Sequence, residues 1–143
     1  MNFKGWKDNE KGRLLNSELS YEIAKIGHTA HITVCDAGLP IPKDVKRIDL
    51  AIEAGTPNFI QVLKPILSEM QVEEIILARE IHEKNIPMYT AIMKAFKEAG
   101  MDPKIIEVSH EEFKKITHES EVIVRTGECS PYSNIILKSG VTF

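Results

Sequence analysis

The chain has 143 residues, 18 basic and 21 acidic side chains, a formal charge of -3 and a hydrophobic fraction of 43%. That length fits one domain able to bury roughly 68–70% of its unfolded surface, and the hydrophobic fraction excludes a disordered chain. No basic block, no apolar run near the ~18 residues of a spanning helix and no apolar centre in the leading MNFKGWKDNE are present, which argues against nucleic acid, membrane and a signal peptide.

Met1 to Gly12 is polar, holds the single tryptophan, Trp6, and reads as an N-terminal extension of a single domain spanning 1–143. From Asn16 the pattern turns helical. Leu19, Ile23 and Ile26 share a face, Asn16 or Ser17 caps the start, and Gly27 ends the helix. His31 to Cys35 is a short strand, closed by Asp36-Ala37-Gly38-Leu39-Pro40-Ile41-Pro42, and Arg47 to Ile52 is a second. Asn58 to Met70 is a helix with Phe59, Val62, Leu63, Ile66 and Leu67 on one face.

Glu74 to Ala78 carries Ile75, Ile76 and Leu77 in succession, the pattern of a strand covered on both faces. Pro87 opens the next helix and Gly100 closes it. Lys104 to Val108 is a strand, and Ser109 to Thr117 is a helix whose Ser109-x-x-Glu112 forms a capping box. Glu121 to Arg125 and Ile135 to Leu137 complete the strands.

Helices alternating with short apolar strands predict an α/β fold: three layers, α/β/α, with a mostly parallel (mixed) sheet and Rossmann-like topology. Ligands of such sheets bind beyond the carboxyl ends of the strands. Asp36, Ser109-His110 and Gly127-Glu128 all fall at predicted strand ends.

His28 lies just past a predicted helix C-terminus, where the partial negative charge suits a proton donor. The plainer alternative is a helix-end histidine that only hydrogen-bonds the last carbonyls. Asp36, at a strand end before a glycine turn, can accept from a ligand hydroxyl or merely close the turn. His110, in a capped first turn, suits a neutral ring that accepts, or is simply exposed. Tyr132, Ser133 and Asn134 offer a phenol, a hydroxyl and an amide in succession, or form a turn into the next strand. Glu128 is a second carboxylate or an exposed loop charge. Such groups suit neutral, hydroxyl-rich ligands held by hydrogen bonds.

Other chemistries find no support. His28-x-x-His31 and His82-Glu83 lack a completing ligand set, so no metal is expected. No glycine fingerprint for a nucleotide is present, so no nicotinamide or ATP cofactor is expected. Cys35 and Cys129 form no disulfide framework and suggest a reduced, cytoplasmic chain in which Cys129 is inert.

From Gly12 to Phe143 the motifs resemble the ribose/fucose mutarotase family in its D-ribose pyranase branch. They are Leu15-Asn16-Ser17, Gly27-His28-Thr29, Asp36 through Pro42, Ile48-Asp49-Leu50, Gly55-x-Pro57-x-Phe59, Ser109 through Lys114, and Arg125-Thr126-Gly127-Glu128 through Pro131-Tyr132-Ser133-Asn134. The L-fucose mutarotase branch shares the Gly-His and Thr-Gly-Glu elements but differs around Gly38-Leu39-Pro40 and Ser130-Pro131. Cys129 stands where the family commonly has an aromatic residue.

The resemblance implies interconversion of pyranose and furanose D-ribose, with His28 as proton donor and Asp36, His110, Tyr132, Ser133 and Asn134 as sugar contacts. It also implies a decamer of two pentamers, a homo-oligomer with sites at subunit interfaces. The apolar ending Gly140-Val141-Thr142-Phe143 suits burial against another copy. Opening a cyclic hemiacetal needs a proton delivered to the ring oxygen while another leaves the anomeric hydroxyl, so no cofactor is required; proton transfer by positioned side chains contributes roughly 10²–10⁴-fold. L-fucose mutarotation, or a non-catalytic ribose-binding accessory role in sugar uptake, would use many of the same contacts.

Overall fold

The computed structural model describes residues 13–141; the extension expected at Met1–Gly12, Trp6 included, and the terminal Thr142–Phe143 lie outside them. Asn16 starts helix α1 (Ser17–Lys25) as expected, its Oδ1 accepting from Leu19 N at 2.9 Å. The helix stops earlier than Gly27, because Ile26 already has extended backbone. The left-handed residue in this turn is Thr29, at φ 71°.

The remaining elements follow in order: β1 (His31–Cys35), β2 (Lys46–Asp49), α2 (Phe59–Leu67), β3 (Val72–Ala78), α3 (Ile81–Lys84), α4 (Ile86–Glu98), β4 (Lys104–Val108), α5 (His110–Ile116), a 3-10 turn (Thr117–Glu119), β5 (Ser120–Arg125) and β6 (Ile135–Ser139). β1 and β4 have the bounds their sequence predicts. β2 is shorter than expected, ending where Asp49 Oδ1 accepts from Ala51 N at 3.1 Å and turns the chain. At α2, Asn58 and Gln61 form a complete capping box. At α5 only half of the expected box exists: Ser109 Oγ accepts from Glu112 N at 3.1 Å. The short α3 carries no periodic signal of its own and was not expected.

Among the described residues six strands form one sheet in the order β2-β5-β1-β6-β3-β4. Neighbours pair in parallel except at β6, which runs antiparallel to both β1 and β3. Five strands therefore aim their carboxyl ends at one edge of the sheet, and β6 starts from that same edge. The sheet is mostly parallel and mixed, as the sequence predicts.

Successive side chains alternate between the two faces. Ile32, Val34, Ile75 and Leu77 point into a core shared with Leu19 of α1, Leu63 and Ile66 of α2, and Ile92 and Phe96 of α4. Cys35, Ile76 and Ile123 point the other way, against Phe113 of α5 and Leu39 and Val45 of the segment after β1. This double coverage explains why Ile75-Ile76-Leu77 is continuously apolar. Phe59 and Phe113 are wholly buried, one per face, and each such side chain contributes about 1.5–3 kcal/mol relative to exposure. The second face is closed by one short helix and a loop. That loop begins at Asp36, so packing of Leu39 and Val45 also fixes the turn that carries the carboxylate.

Candidate functional site at the carboxyl edge of the sheet

Asp36 follows β1, Glu80 follows β3, Ser109 and His110 follow β4, Thr126 to Glu128 follow β5, and Tyr132 to Asn134 lead into β6. The topology gathers all of them at one edge. Asp36 Oδ1 accepts from Gly38 N at 3.0 Å. Asn134 Nδ2 donates to Asp36 Oδ2 at 3.3 Å, while Asn134 Oδ1 accepts from Asp36 N at 2.8 Å. Burial pushes the Asp36 carboxyl above its ordinary 3.8, against the pull of N–H groups from Gly38, Asn134 and Leu39 and of nearby His110. Three donors leave a carboxylate with capacity for a further one, such as a ligand hydroxyl.

The backbone under Asp36 is clamped from β5 and beyond. Thr126 N and Oγ1 donate to Cys35 O at 3.0 and 2.8 Å, and Ala37 N donates to Glu128 O at 2.8 Å. Arg125 Nε donates to Ala37 O at 3.1 Å while its guanidinium reaches both Asp49 oxygens at 3.1 Å. Gly127 passes so close to the 53–56 turn that a Cβ there would lie 2.6 Å from Thr56 O and 2.7 Å from Glu53 O. Only glycine fits that approach.

Glu128 is neither a free carboxylate nor a loose loop charge. Its Oε1 accepts from Phe59 N at 2.9 Å, at the start of α2, and its Oε2 accepts from Ser130 Oγ at 2.7 Å. Burial pushes this carboxyl up, and the hydrogen bonds from Phe59 and Ser130 outweigh it, so the net direction is downward.

Tyr132, at φ 57°, sets its ring edge-on to His110 with centroids 5.1 Å apart. His110 Nδ1 is buried without a protein partner, leaving an imidazole nitrogen available to a ligand. The His110 N–H is held by Glu80 Oε1 at 3.0 Å. Ser133 is fully buried, and its hydroxyl is engaged by Ser130 Oγ at 2.8 Å and Asn85 Nδ2 at 3.2 Å. Asn85 also donates to Pro131 O at 2.7 Å and caps α4 through Met88 N, tying the 130–133 loop to a helix start. Ser133 thus acts as part of the loop brace.

Asp36, His110, Tyr132 and Asn134 are brought together; His28 is not among them. The strand between them keeps His28 away from Asp36: β1 has five residues, which place its two ends about 13 Å apart. His28 lies at the amino edge, where its Nε2 is 3.0 Å from Glu73 Oε1. It helps line a cleft of about 500 Å³ with Ser20, Ile23, Gln71, Ser139 and Gly140. The helix-end argument for His28 weakens too, since α1 ends at Lys25. His110 and Tyr132 sit with Asp36 in one protomer.

Sequence reasoning missed Glu73, Glu80 and Asn85. Asn85 had a signal, an Asn shortly before Pro87 at a helix start; the two glutamates had none. Burial pushes the Cys35 thiol up to about 12, which makes it inert, while Cys129 is exposed and free. Among the described residues no group of three or more His, Cys, Asp or Glu side chains is arranged to hold a metal ion, and no helix is long and apolar enough to cross a membrane.

The chain is 64% identical over 134 residues to a D-ribose pyranase of Rhodopirellula baltica, covering 94% of this chain and 99% of that protein. It is 53% identical over 138 residues to a D-ribose pyranase of Haemophilus influenzae, with the same coverage. Among solved structures, Bacillus subtilis RbsD complexed with D-ribose superposes with a TM-score of 0.86 at 41% identity, covering 93% of this chain and 98% of that one. The Streptococcus pneumoniae fucose mutarotase in complex with L-fucose gives 0.77 at 26% identity, covering 90% and 94%. With residues 9–142 matching its family model, the chain belongs to the RbsD / FucU transport protein family.

Proposed function

We propose that this chain is a D-ribose pyranase, an intramolecular isomerase that opens and recloses ribose between its pyranose and furanose rings. The observation that carries the reading is the pairing of a half-buried carboxylate retaining acceptor capacity, Asp36, with an unpartnered buried nitrogen on His110 at the same sheet edge. Acceptors of this kind suit sugar hydroxyls. The sugar itself is suggested by the relatives named D-ribose pyranase and by the Bacillus subtilis relative complexed with D-ribose.

In this reading Asp36 and His110 accept from sugar hydroxyls, Asn134 orients Asp36, and Tyr132 packs its ring edge against His110. Ser133 contributes by holding the loop. His28 donates the proton to the ring oxygen, and it comes from a neighbouring copy. Support for that is the length of β1 between His28 and Asp36 and the exposure of the His28 side chain, 51% in the protomer. A closed ring in which each protomer hands His28 to the next site follows, and two stacked pentamers are the assembly we propose, in the cytoplasm. Such a site needs orientation and proton transfer alone.

The test is NMR exchange between the pyranose and furanose signals of equilibrated D-ribose, with and without chelator-treated protein at micromolar concentration. Accelerated exchange is expected. Unchanged exchange in the presence of measurable ribose binding overturns the enzyme in favour of a binding protein, and acceleration of L-fucose alone reassigns the substrate.

A further inference from the structure

Three independent irregularities converge on the far side of the sheet from Asp36. The first is in β3. Val72 pairs with Ser139 and Glu74 with Lys138, so two steps along β3 match one along β6, and Glu73 is the extra residue of a β-bulge. A bulge re-aims the side chain it carries. Here it turns Glu73 toward His28, whose Nε2 lies 3.0 Å from Glu73 Oε1.

The second is Thr29, a β-branched residue at φ 71° immediately after His28. That conformation is unfavourable for a branched side chain and persists only where the surroundings impose it. The Thr29 N–H donates to Ser139 O at 2.9 Å, which ties the His28 turn to the strand facing the bulge. The third is Gly140. A Cβ at that position would lie 3.2 Å from Glu73 Cβ, so the missing side chain leaves room for the glutamate stem beside the chain just after β6.

Fold stability does not account for this arrangement. The His28 and Glu73 side chains are 51% and 41% exposed, and an exposed ion pair contributes little. What the arrangement achieves is orientation. A carboxylate on Nε2 holds that nitrogen as an N–H, which leaves Nδ1 as the nitrogen for a ligand: it gives up its proton from the imidazolium form and holds the lone pair afterwards.

We propose that Glu73 is a positioning residue for His28, fixing its ring so that Nδ1 is presented to the sugar held by a neighbouring copy. The proposal rests on the reading of His28 as the proton donor.

The experiment is a double-mutant cycle in the assembled protein, with ribose exchange followed by NMR as a function of ribose concentration. Glu73→Ala is expected to lower kcat roughly 10–100-fold with KM within about twofold, as a misplaced catalytic group does. Glu73→Gln keeps an acceptor of the same shape and is expected to recover part of that loss. His28→Ala/Glu73→Ala is expected to be no slower than His28→Ala alone, because a residue acting only through another adds nothing once that other is gone. In protein labelled with ¹⁵N-histidine, the His28 ring is expected to be protonated on Nε2 when neutral, and to lose that preference in Glu73→Ala. If His28→Ala is slow while Glu73→Ala matches the wild type, the Glu73 proposal falls and the donor reading stands. If His28→Ala itself matches the wild type, both fall. A double variant slower than His28→Ala by the full factor of Glu73→Ala shows an independent role and also overturns the proposal.

Discussion

Asp36 and Asn134 exchange two hydrogen bonds across 98 residues of sequence: the amide oxygen accepts from the Asp36 N–H at 2.8 Å and the amide nitrogen donates to its carboxylate at 3.3 Å. This pair joins the end of β1 to the start of β6, the antiparallel strand in a sheet whose other neighbours run parallel. The direction of β6 thus has a consequence for the site. Were it parallel, residues 132–134 would open at the opposite edge, beyond reach of Asp36.

Removing the amide tests the pair. Asn134 is fully buried, so Asn134→Ala leaves the Asp36 N–H and one carboxylate oxygen without partners inside the protein. Two lost bonds, one to a charged group, are expected to cost about 2–3 kcal/mol. Urea denaturation of both proteins at equal protomer concentration measures it. A loss below the error of the extrapolation would mean that water replaces the amide without penalty.

The carboxyl of Asp36 predicts a pH dependence of definite sign. Its folded-state value is raised above 3.8, chiefly by burial, so the folded state holds the proton more tightly than the unfolded state. The stability it contributes is therefore fully present below 3.8 and is lost as pH rises through the folded value. Thermal melts of the wild type and Asp36→Asn across that window should show the wild type losing ground to the variant as pH increases. In the same variant, KM for ribose should rise roughly 10–100-fold through loss of a charged acceptor. A melting difference that runs the other way with pH would show that hydrogen bonds from Gly38 and Asn134 dominate burial.

Gly127 gives a sharper structural prediction. A methyl group at this position meets Thr56 O, Glu53 O and Thr56 N at 2.6–2.7 Å, all of them backbone atoms with no rotamer to move. Gly127→Ala should destabilise by about 1–3 kcal/mol or more. It should also disturb the neighbouring Glu128, which anchors Phe59 N at the start of α2. Denaturant melts and amide shifts of residues 53–60 report both effects.

Much of this architecture is legible in local chemistry. The bounds of β1 and β4, the Asn16 cap, and the two-faced burial of Ile75-Ile76-Leu77 follow from patterns within a few residues. The convergence of Asp36 and His110 is legible as well, from the rule that open α/β sheets bind beyond their carboxyl ends. The rest depends on contacts that sequence does not encode locally. Nothing in Ile135-Ile136-Leu137 states the direction of β6. Nothing in Val72-Glu73-Glu74 marks which residue is bulged. Eight positions separate His28 from Asp36, and a loop preceding a strand resembles one following it, although a five-residue strand puts the two at opposite edges.

That separation yields the most discriminating prediction. Within one protomer His28 and Asp36 lie at opposite ends of β1, so a site using both must draw them from two copies. His28→Ala and Asp36→Ala should each be nearly inactive when expressed alone. Co-expressed in equal amounts with different tags and purified through both, they are expected to form mixed rings under the proposed assembly. A site then works when its own protomer keeps Asp36 and its neighbour keeps His28, which in random assembly is about a quarter of sites. Recovery of roughly that fraction of wild-type exchange is expected, from two chains that are each defective. Were the two residues to act within a single protomer, every protomer in the mixture would carry a lesion and no activity would return. Mixed rings that stay as inactive as their parents would therefore rule out the shared site.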